Sequence, residues 1–298
     1  HCHALNDWCG LFILEERGAM VITCWGSRGS IPVSGREYIK YGGDTACMEI
    51  RTRSVDIIIV DAGTGIRRLG NKLTKEGVQH YNFIFTHAHW DHIMGLPFFK
   101  PLFSNQTKIK VFRCPYAGMY AEKLITRVLT PPHFPVKYSD LSAEFTYEDG
   151  CPHEFQIGSV RVVPIHLSHP NGGKGYKFIE DEKSFVFLTD NELGYMHPNG
   201  LTMGDYVAFS LQADLLIHDA EFTPEEYRRY IEWGHSSYAD VLELASRAEV
   251  KKLGLYHLNQ DRTDDAMDAI VDACHQEIDR KGLDFECFAV GSEMSFEI

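Results

Sequence analysis

Six consecutive residues carry the densest chemistry of the chain: His87-Ala88-His89-Trp90-Asp91-His92. Imidazole and carboxylate are the donors that Zn²⁺ and similar divalent ions prefer. The run follows an apolar segment, Tyr81–Thr86, that reads as a buried strand, so the donors sit where a strand gives way to a turn. At that spacing His87 and His89 can reach one ion, while Asp91 and His92 point to a second beside it. A pair of ions held this way activates water for hydrolysis. A solvated surface histidine cluster is the rival reading, and it fits poorly behind a buried strand.

Other chemistry-bearing residues close other apolar runs. They are His169 after Ser168, Asp190 after Thr189, His218 through Glu221, His235 after Gly234, and His257 after Tyr256. Each has a plainer alternative. His166 competes with His169, although it lies inside its strand. Asp190 could cap a turn with Asn191. His257 could be a core histidine, and His218-Asp219 a strand-end hydrogen-bond pair.

These residues need elements to position them. Val21–Trp25, Ala46–Thr52, Asp56–Asp61, Tyr81–Thr86 and Lys108–Arg113 read as strands, with a helix over Gly65–Lys75. A helix is expected to open at Gly95–Phe103, and an amphipathic one over Gly118–Leu129. Three prolines between Pro131 and Pro135 make 130–136 an irregular loop. Ser159–His166, Tyr176–Glu180, Ser184–Thr189 and Leu215–His218 continue as strands. Ser237 through Asp240 reads as a capping box before a helix, Lys252–Tyr256 as a buried strand, and Thr263-Asp264-Asp265 as the start of a last helix. Phe285–Val290 and Met294–Ile298 close the chain as strands. Strands followed by helices in each half predict an α/β fold, a four-layer αββα sandwich. Residues 20–298 are expected to form a single domain, with 1–19 as an N-terminal extension or leader before Met20.

The run His-x-His-x-Asp-His after an apolar strand resembles the metallo-β-lactamase superfamily. Val60-Asp-Ala-Gly-Thr-Gly65 is similar to its early Asp-x-Gly turn, Ser168-His169 with Gly175-Tyr176-Lys177 to its third ligand motif, Thr189-Asp190 to its bridging aspartate and Leu255-Tyr-His257 to its last ligand. Within the superfamily the chain looks most like the ribonuclease Z-like phosphodiesterase branch. Leu216-Ile-His218-Asp-Ala-Glu221 resembles that branch's His-Glu-Ala motif, Gly234-His235-Ser236-Ser237 its His-Ser-Thr motif, and Trp25-Gly-Ser-Arg-Gly-Ser30 its opening glycine-rich turn. The resemblance implies that His87, His89 and His169 hold one divalent ion, that Asp91, His92 and His257 hold a second, and that Asp190 bridges them. Zn is the expected metal, with Mn or Fe as alternatives. It further implies that a shared water, its pKa lowered by the ions, attacks phosphorus or a carbonyl carbon. Asp91 then belongs to both the ligand and the catalytic set. His235, oriented by His218 or Glu221, is the expected proton donor to the leaving group. Asp61 and Glu221 are expected to support ligands from behind. Arg28 could meet a phosphate, and His133 with Phe134 could wall the pocket.

Charge narrows the substrate. With 42 acidic and 29 basic residues the formal net charge is −13, which repels a long polyphosphate backbone. A small phosphodiester such as a cyclic nucleotide is therefore the expected substrate. A ribonuclease Z-like action on tRNA, or hydrolysis of a lactone or thioester at the same metals, is the alternative. Trp90 also replaces the Gly common in the tRNA-cutting branch. No run approaches the roughly 20 apolar residues of a membrane span, so no membrane partner and a cytoplasmic location are expected, with a homodimer left open. The eight cysteines form no C-x-x-C pair and read as reduced thiols.

Overall fold

Runs of β-branched and aromatic residues build two seven-stranded sheets. The computed structural model describes residues 18–112, 121–148, 150 and 152–298. Most of the expected N-terminal extension, with Cys2 and Cys9, lies outside the described residues, as do Cys114 and Cys151. Cys24, Cys47, Cys274 and Cys287 are free and buried.

The first sheet is made by β1 (Val21–Gly26), β2 (Cys47–Arg51), β3 (Ile57–Val60), β4 (His80–Ile84), β5 (Lys108–Phe112), β6 (Glu144–Glu148) and the last strand, β14 (Ser295–Glu297). Their order across the sheet is β14-β1-β2-β3-β4-β5-β6. The second contains β7 (Phe155–Ile157), β8 (Val160–His166), β9 (Lys174–Glu180), β10 (Lys183–Leu188), β11 (Leu215–Asp219), β12 (Lys252–Tyr256) and β13 (Glu286–Ala289), in the order β13-β12-β11-β10-β9-β8-β7. β3 through β6 run parallel, and so do β10 through β13. Strands buried on both faces lose polar alternation, and β3 is accordingly Ile-Ile-Ile-Val.

Helices α1 (Ile66–Glu76), α2 (Trp90–Ile93), α3 (Ala121–Val128), α4 (Met203–Ser210), α5 (Pro224–Tyr227), α6 (Tyr238–Arg247) and α7 (Asp264–Lys281) complete the described elements. Apolar side chains of α1 and α3 pack on the outer face of the first sheet, around Phe83, Ile59 and Val111. Those of α4, α6 and α7 cover the second, around Leu188, Leu216 and Leu253. Between the sheets lies a third layer of contacts, in which Ile22, Met48 and Ile58 meet Phe178, Phe185 and Ile217. The architecture is a four-layer αββα sandwich.

Two expectations about elements change. The segment after Gly95 forms two 3₁₀ turns, Leu96–Phe98 and Lys100–Phe103, in place of one helix. Pro97 and Pro101 each lack the amide that a continuing α-helix would use. Helix α4 was not anticipated: Tyr206 and Ser210 are its buried residues, so no apolar stripe marks it. Its signal is polar, a box in which Thr202 accepts from Asp205 N and Asp205 accepts from Thr202 N.

Candidate metal centre

Strands of both sheets deliver the site from their C-terminal ends, where parallel sheets usually hold ligands. β3 leads directly into Asp61, β4 through Thr86 into the histidine run, β10 through Thr189 to Asp190 and β12 directly into His257, while β11 ends on Asp219. The chain turns at once after three of these strands. Asp61, Asp190 and His257 take left-handed φ of 62°, 55° and 55°. For residues with a Cβ that conformation costs about 1–3 kcal/mol each and persists only where surroundings impose it. For Asp61 the surroundings are visible: its carboxylate accepts from Thr86 N at 2.7 Å, Thr86 Oγ1 at 2.6 Å and His92 Nδ1 at 2.8 Å.

Among the described residues three groups of donor atoms result, each with its atoms within 4.8 Å of one another. Two have four residues: one is His87, His89, His169 and Asp190; the other is Asp91, His92, His257 and Asp190. The third, Asp219, His235 and His257, shares His257 with the latter. Asp190 is common to both four-residue groups. Its Oδ2 lies 3.3 Å from His87 Nε2 and from His257 Nε2, and its Oδ1 lies 3.1 Å from His92 Nε2.

The donors fit divalent ions on two grounds. First, outward-facing hydrogen bonds fix several imidazoles with one nitrogen pointing inward. His92 Nδ1 donates to Asp61, His169 Nδ1 to Gly234 O at 2.9 Å, and His257 Nδ1 to Glu221 Oε2 at 3.0 Å. That pattern turns each Nε2 inward, where His169 Nε2 meets His89 Nδ1 at 3.0 Å and His257 Nε2 meets Asp91 Oδ2 at 3.1 Å, the orientation that metal-binding histidines take. The buried Nε2 atoms of His87 and His92 have no hydrogen-bond partner at all. Second, Asp61, Asp91, Asp190, Asp219 and Glu221 are all buried around one point. So many carboxylates out of water call for compensating cations. The electrostatics point the same way. Burial opposes charge on His92, but Asp190, Asp91 and Asp61 hold its pKa well above the usual imidazole range. Burial and the neighbouring His87 push His89 down to about 4, leaving it neutral and able to donate a lone pair.

Beside the second group stands His235. Its Nδ1 is 2.7 Å from Asp219 Oδ2 and 3.5 Å from Glu221 Oε2, and its ring stacks on His257 at 4.5 Å. Burial opposes the imidazolium, yet Asp219 and Glu221 outweigh it and raise the pKa to about 9. A protonated imidazole held at the edge of a metal site is equipped to give a proton to a leaving group.

A family profile described as a beta-lactamase superfamily domain matches residues 56–258. The chain belongs to the beta-lactamase superfamily. A protein of Natronomonas pharaonis named Ribonuclease Z is 26% identical over 275 residues, spanning 80% of this chain and 86% of that relative. The crystal structure of unliganded yeast PDE1 superposes with a TM-score of 0.67 at 12% identity, covering 94% of this chain and 99% of that one. Human tRNase Z, short form, gives a TM-score of 0.61 at 18% identity, over 93% and 98% respectively. At these identities the two structures establish the shared metallo-β-lactamase fold.

On this superfamily scaffold several expected residues find different work. His218 is fully buried: its Nδ1 donates to Asp219 O at 2.7 Å and its Nε2 is 3.1 Å from Asn191 Nδ2. Burial lowers its pKa to about 4, so it is a neutral histidine outside the donor groups. The residue nearest His235 is Asp219 at 2.7 Å, which the sequence reading paired only with His218; the expected orienter Glu221 lies farther off, at 3.5 Å. Arg28 is buried too, and donates to Gly42 O, Asn259 O and Arg262 O. It ties the β1–β2 connection to the β12–α7 connection, and its buried guanidinium presents nothing to a phosphate. Phe134 packs edge-on against Phe98 at 5.8 Å, and His133 is exposed on the proline-rich loop; neither adjoins the donor groups.

Two glycines matter by absence of a side chain. A Cβ on Gly29 would lie 2.2 Å from the His257 ring, and one on Gly234 2.1 Å from His169 Nδ1. The turn at Gly29 also lets Ser30 N donate to Asp91 Oδ2 at 2.9 Å. Glu192 was missed altogether. Its buried carboxylate accepts from Tyr227 Oη at 2.8 Å, Glu232 N at 2.8 Å, Gly234 N at 2.7 Å and His197 Nε2 at 2.8 Å. Its position two residues past Asp190 was the available signal.

Proposed function

We propose that this chain is a dinuclear metal-dependent phosphodiesterase acting on a small phosphodiester such as a cyclic nucleotide. The observation that carries the reading is His235, held by Asp219 at 2.7 Å beside a pair of donor groups that share Asp190. In this reading His87, His89 and His169 hold one ion, Asp91, His92 and His257 the other, and Asp190 both. Two bound divalent ions supply Lewis acidity and a nucleophile at neutral pH. The chain's own residues do the rest. Asp61, Glu221 and Gly234 O orient the ligating imidazoles, while Asp219 keeps His235 charged and aimed. His235 donates its Nε2 proton to the departing alkoxide.

A small substrate is favoured by charge. The net charge is −13, and the cleft beside His235 includes Glu221, Glu226 and Asp261 against Arg229. The second reading, cleavage of precursor tRNA, is supported by the relatives named Ribonuclease Z. Carbon-centred hydrolysis of a lactone or thioester uses the same metals. Purified protein loaded with Zn²⁺ or Mn²⁺ should hydrolyse bis(p-nitrophenyl) phosphate faster than a lactone and should leave precursor tRNA uncut. Absence of phosphodiester turnover with any divalent metal sinks the proposal, and efficient precursor-tRNA cleavage reverses the ranking.

A further inference from the structure

A cleft of about 520 Å³ opens beside the metal centre, with His235 and Glu221 at its inner end and Tyr230 and Trp233 on its wall. Its size suits a small organic ligand. Trp233 is 62% exposed, which by itself is unremarkable for one surface residue. Its mounting is less ordinary. The amides on either side of it, Glu232 N and Gly234 N, are both held by the buried Glu192 carboxylate. Trp233 N donates to Tyr230 O at 3.1 Å. The rings continue the order: Phe222 stacks on Tyr230 at 4.9 Å with 11° between planes, and Tyr230 meets Trp233 edge to face at 5.1 Å. An aromatic face is thus presented to solvent from a fixed backbone and against a neighbouring ring, which is how a preorganised stacking platform is built. Gln260 also lines the cleft, and its buried Oε1 has no hydrogen-bond partner. An unpaired amide acceptor close to an aromatic wall suits a planar ring with hydrogen-bonding edges.

We propose that Trp233 and Tyr230 form a stacking subsite for the nucleobase of the substrate, with the Gln260 amide reading the edge of that base. The placement of the phosphate at the metal end rests on the phosphodiesterase reading above. His235 joins the two, because it lines the cleft with Trp233 and stacks on His257 of the second donor group at 4.5 Å.

The test is calorimetric binding of adenosine monophosphate and ribose 5-phosphate to the zinc-loaded protein, two ligands with the same phosphate and differing by the base. The wild type should bind adenosine monophosphate about tenfold or more tightly than ribose 5-phosphate, the usual gain from one stacked base. Trp233→Ala should bring the nucleotide down to the affinity of the sugar phosphate and leave the sugar phosphate unmoved, while Trp233→Phe should keep most of the preference. Zinc content and Tm verify that each variant is folded. Equal affinities in the wild type overturn the subsite, as does a Trp233→Ala change that weakens both ligands alike. Base-dependent binding without phosphodiester turnover overturns the phosphodiesterase reading and leaves a nucleotide site standing. Turnover of bis(p-nitrophenyl) phosphate without base preference removes the subsite alone.

Discussion

At the scale of single residues the site depends on which nitrogen or oxygen is left free. His92, His169 and His257 each spend Nδ1 on a fixed acceptor, and the consequence is a convergent set of Nε2 lone pairs. Asp190 faces both groups with its two oxygens. Asp190→Ala should therefore cut zinc stoichiometry from two per chain to one or fewer by elemental analysis; two retained ions would remove Asp190 from the bridging role. Asp219 acts through His235. In Asp219→Asn the imidazole loses the carboxylate that keeps it charged, and kcat on an alkyl phosphodiester should fall by about 10²-fold. KM should hold, and the loss should shrink on bis(p-nitrophenyl) phosphate, whose leaving group needs no proton. An equal loss on both substrates would mean that Asp219 serves only the fold.

At the scale of elements the decisive features are strand ends. Just past β3, β10 and β12 the chain turns left-handed at Asp61, Asp190 and His257, which brings these side chains into one space. Periodicity located these strands well, because β-branched runs bounded by glycine and aspartate are a local signal. The loop from α5 to α6 was read only for His235, and its organiser, Glu192, is far away in sequence. Gly234 is the hinge of that loop, at φ 95° and against His169. Gly234→Ala should weaken zinc binding by about 10–100-fold in a chelator competition, the usual range when support behind a ligand is disturbed. Unchanged affinity would show that the His169 side of the site can yield.

Across the whole molecule, each half supplies part of each four-residue donor group. His87, His89, Asp91 and His92 come from the first sheet, His169, Asp190 and His257 from the second. Ions held by these donors would bridge the two sheets and stabilise their packing. Zinc at about 100 times its dissociation constant should contribute about 2.7 kcal/mol, and chelation should lower Tm on the order of 5–10 °C. A Tm indifferent to chelator would place the ions outside the folded core. Among the described residues no helix is long and apolar enough to cross a membrane.

By itself the sequence determined the strand-ending histidine run, the layer order and the residues able to ligate, because donor type and hydrophobic period are local properties. Three things waited for the tertiary structure. It paired His235 with Asp219 in place of His218, since neighbouring residues on a strand point to opposite faces and only packing says which face is the site. It turned Arg28 into a buried tie between loops, since a guanidinium's partners lie wherever backbone carbonyls converge. It held the amides on either side of Trp233, those of Glu232 and Gly234, on the Glu192 carboxylate, contacts across 40 and 42 residues that no spacing rule anticipates. The run from His87 to His92 announced hydrolytic chemistry, and long-range contacts decided how that chemistry is oriented.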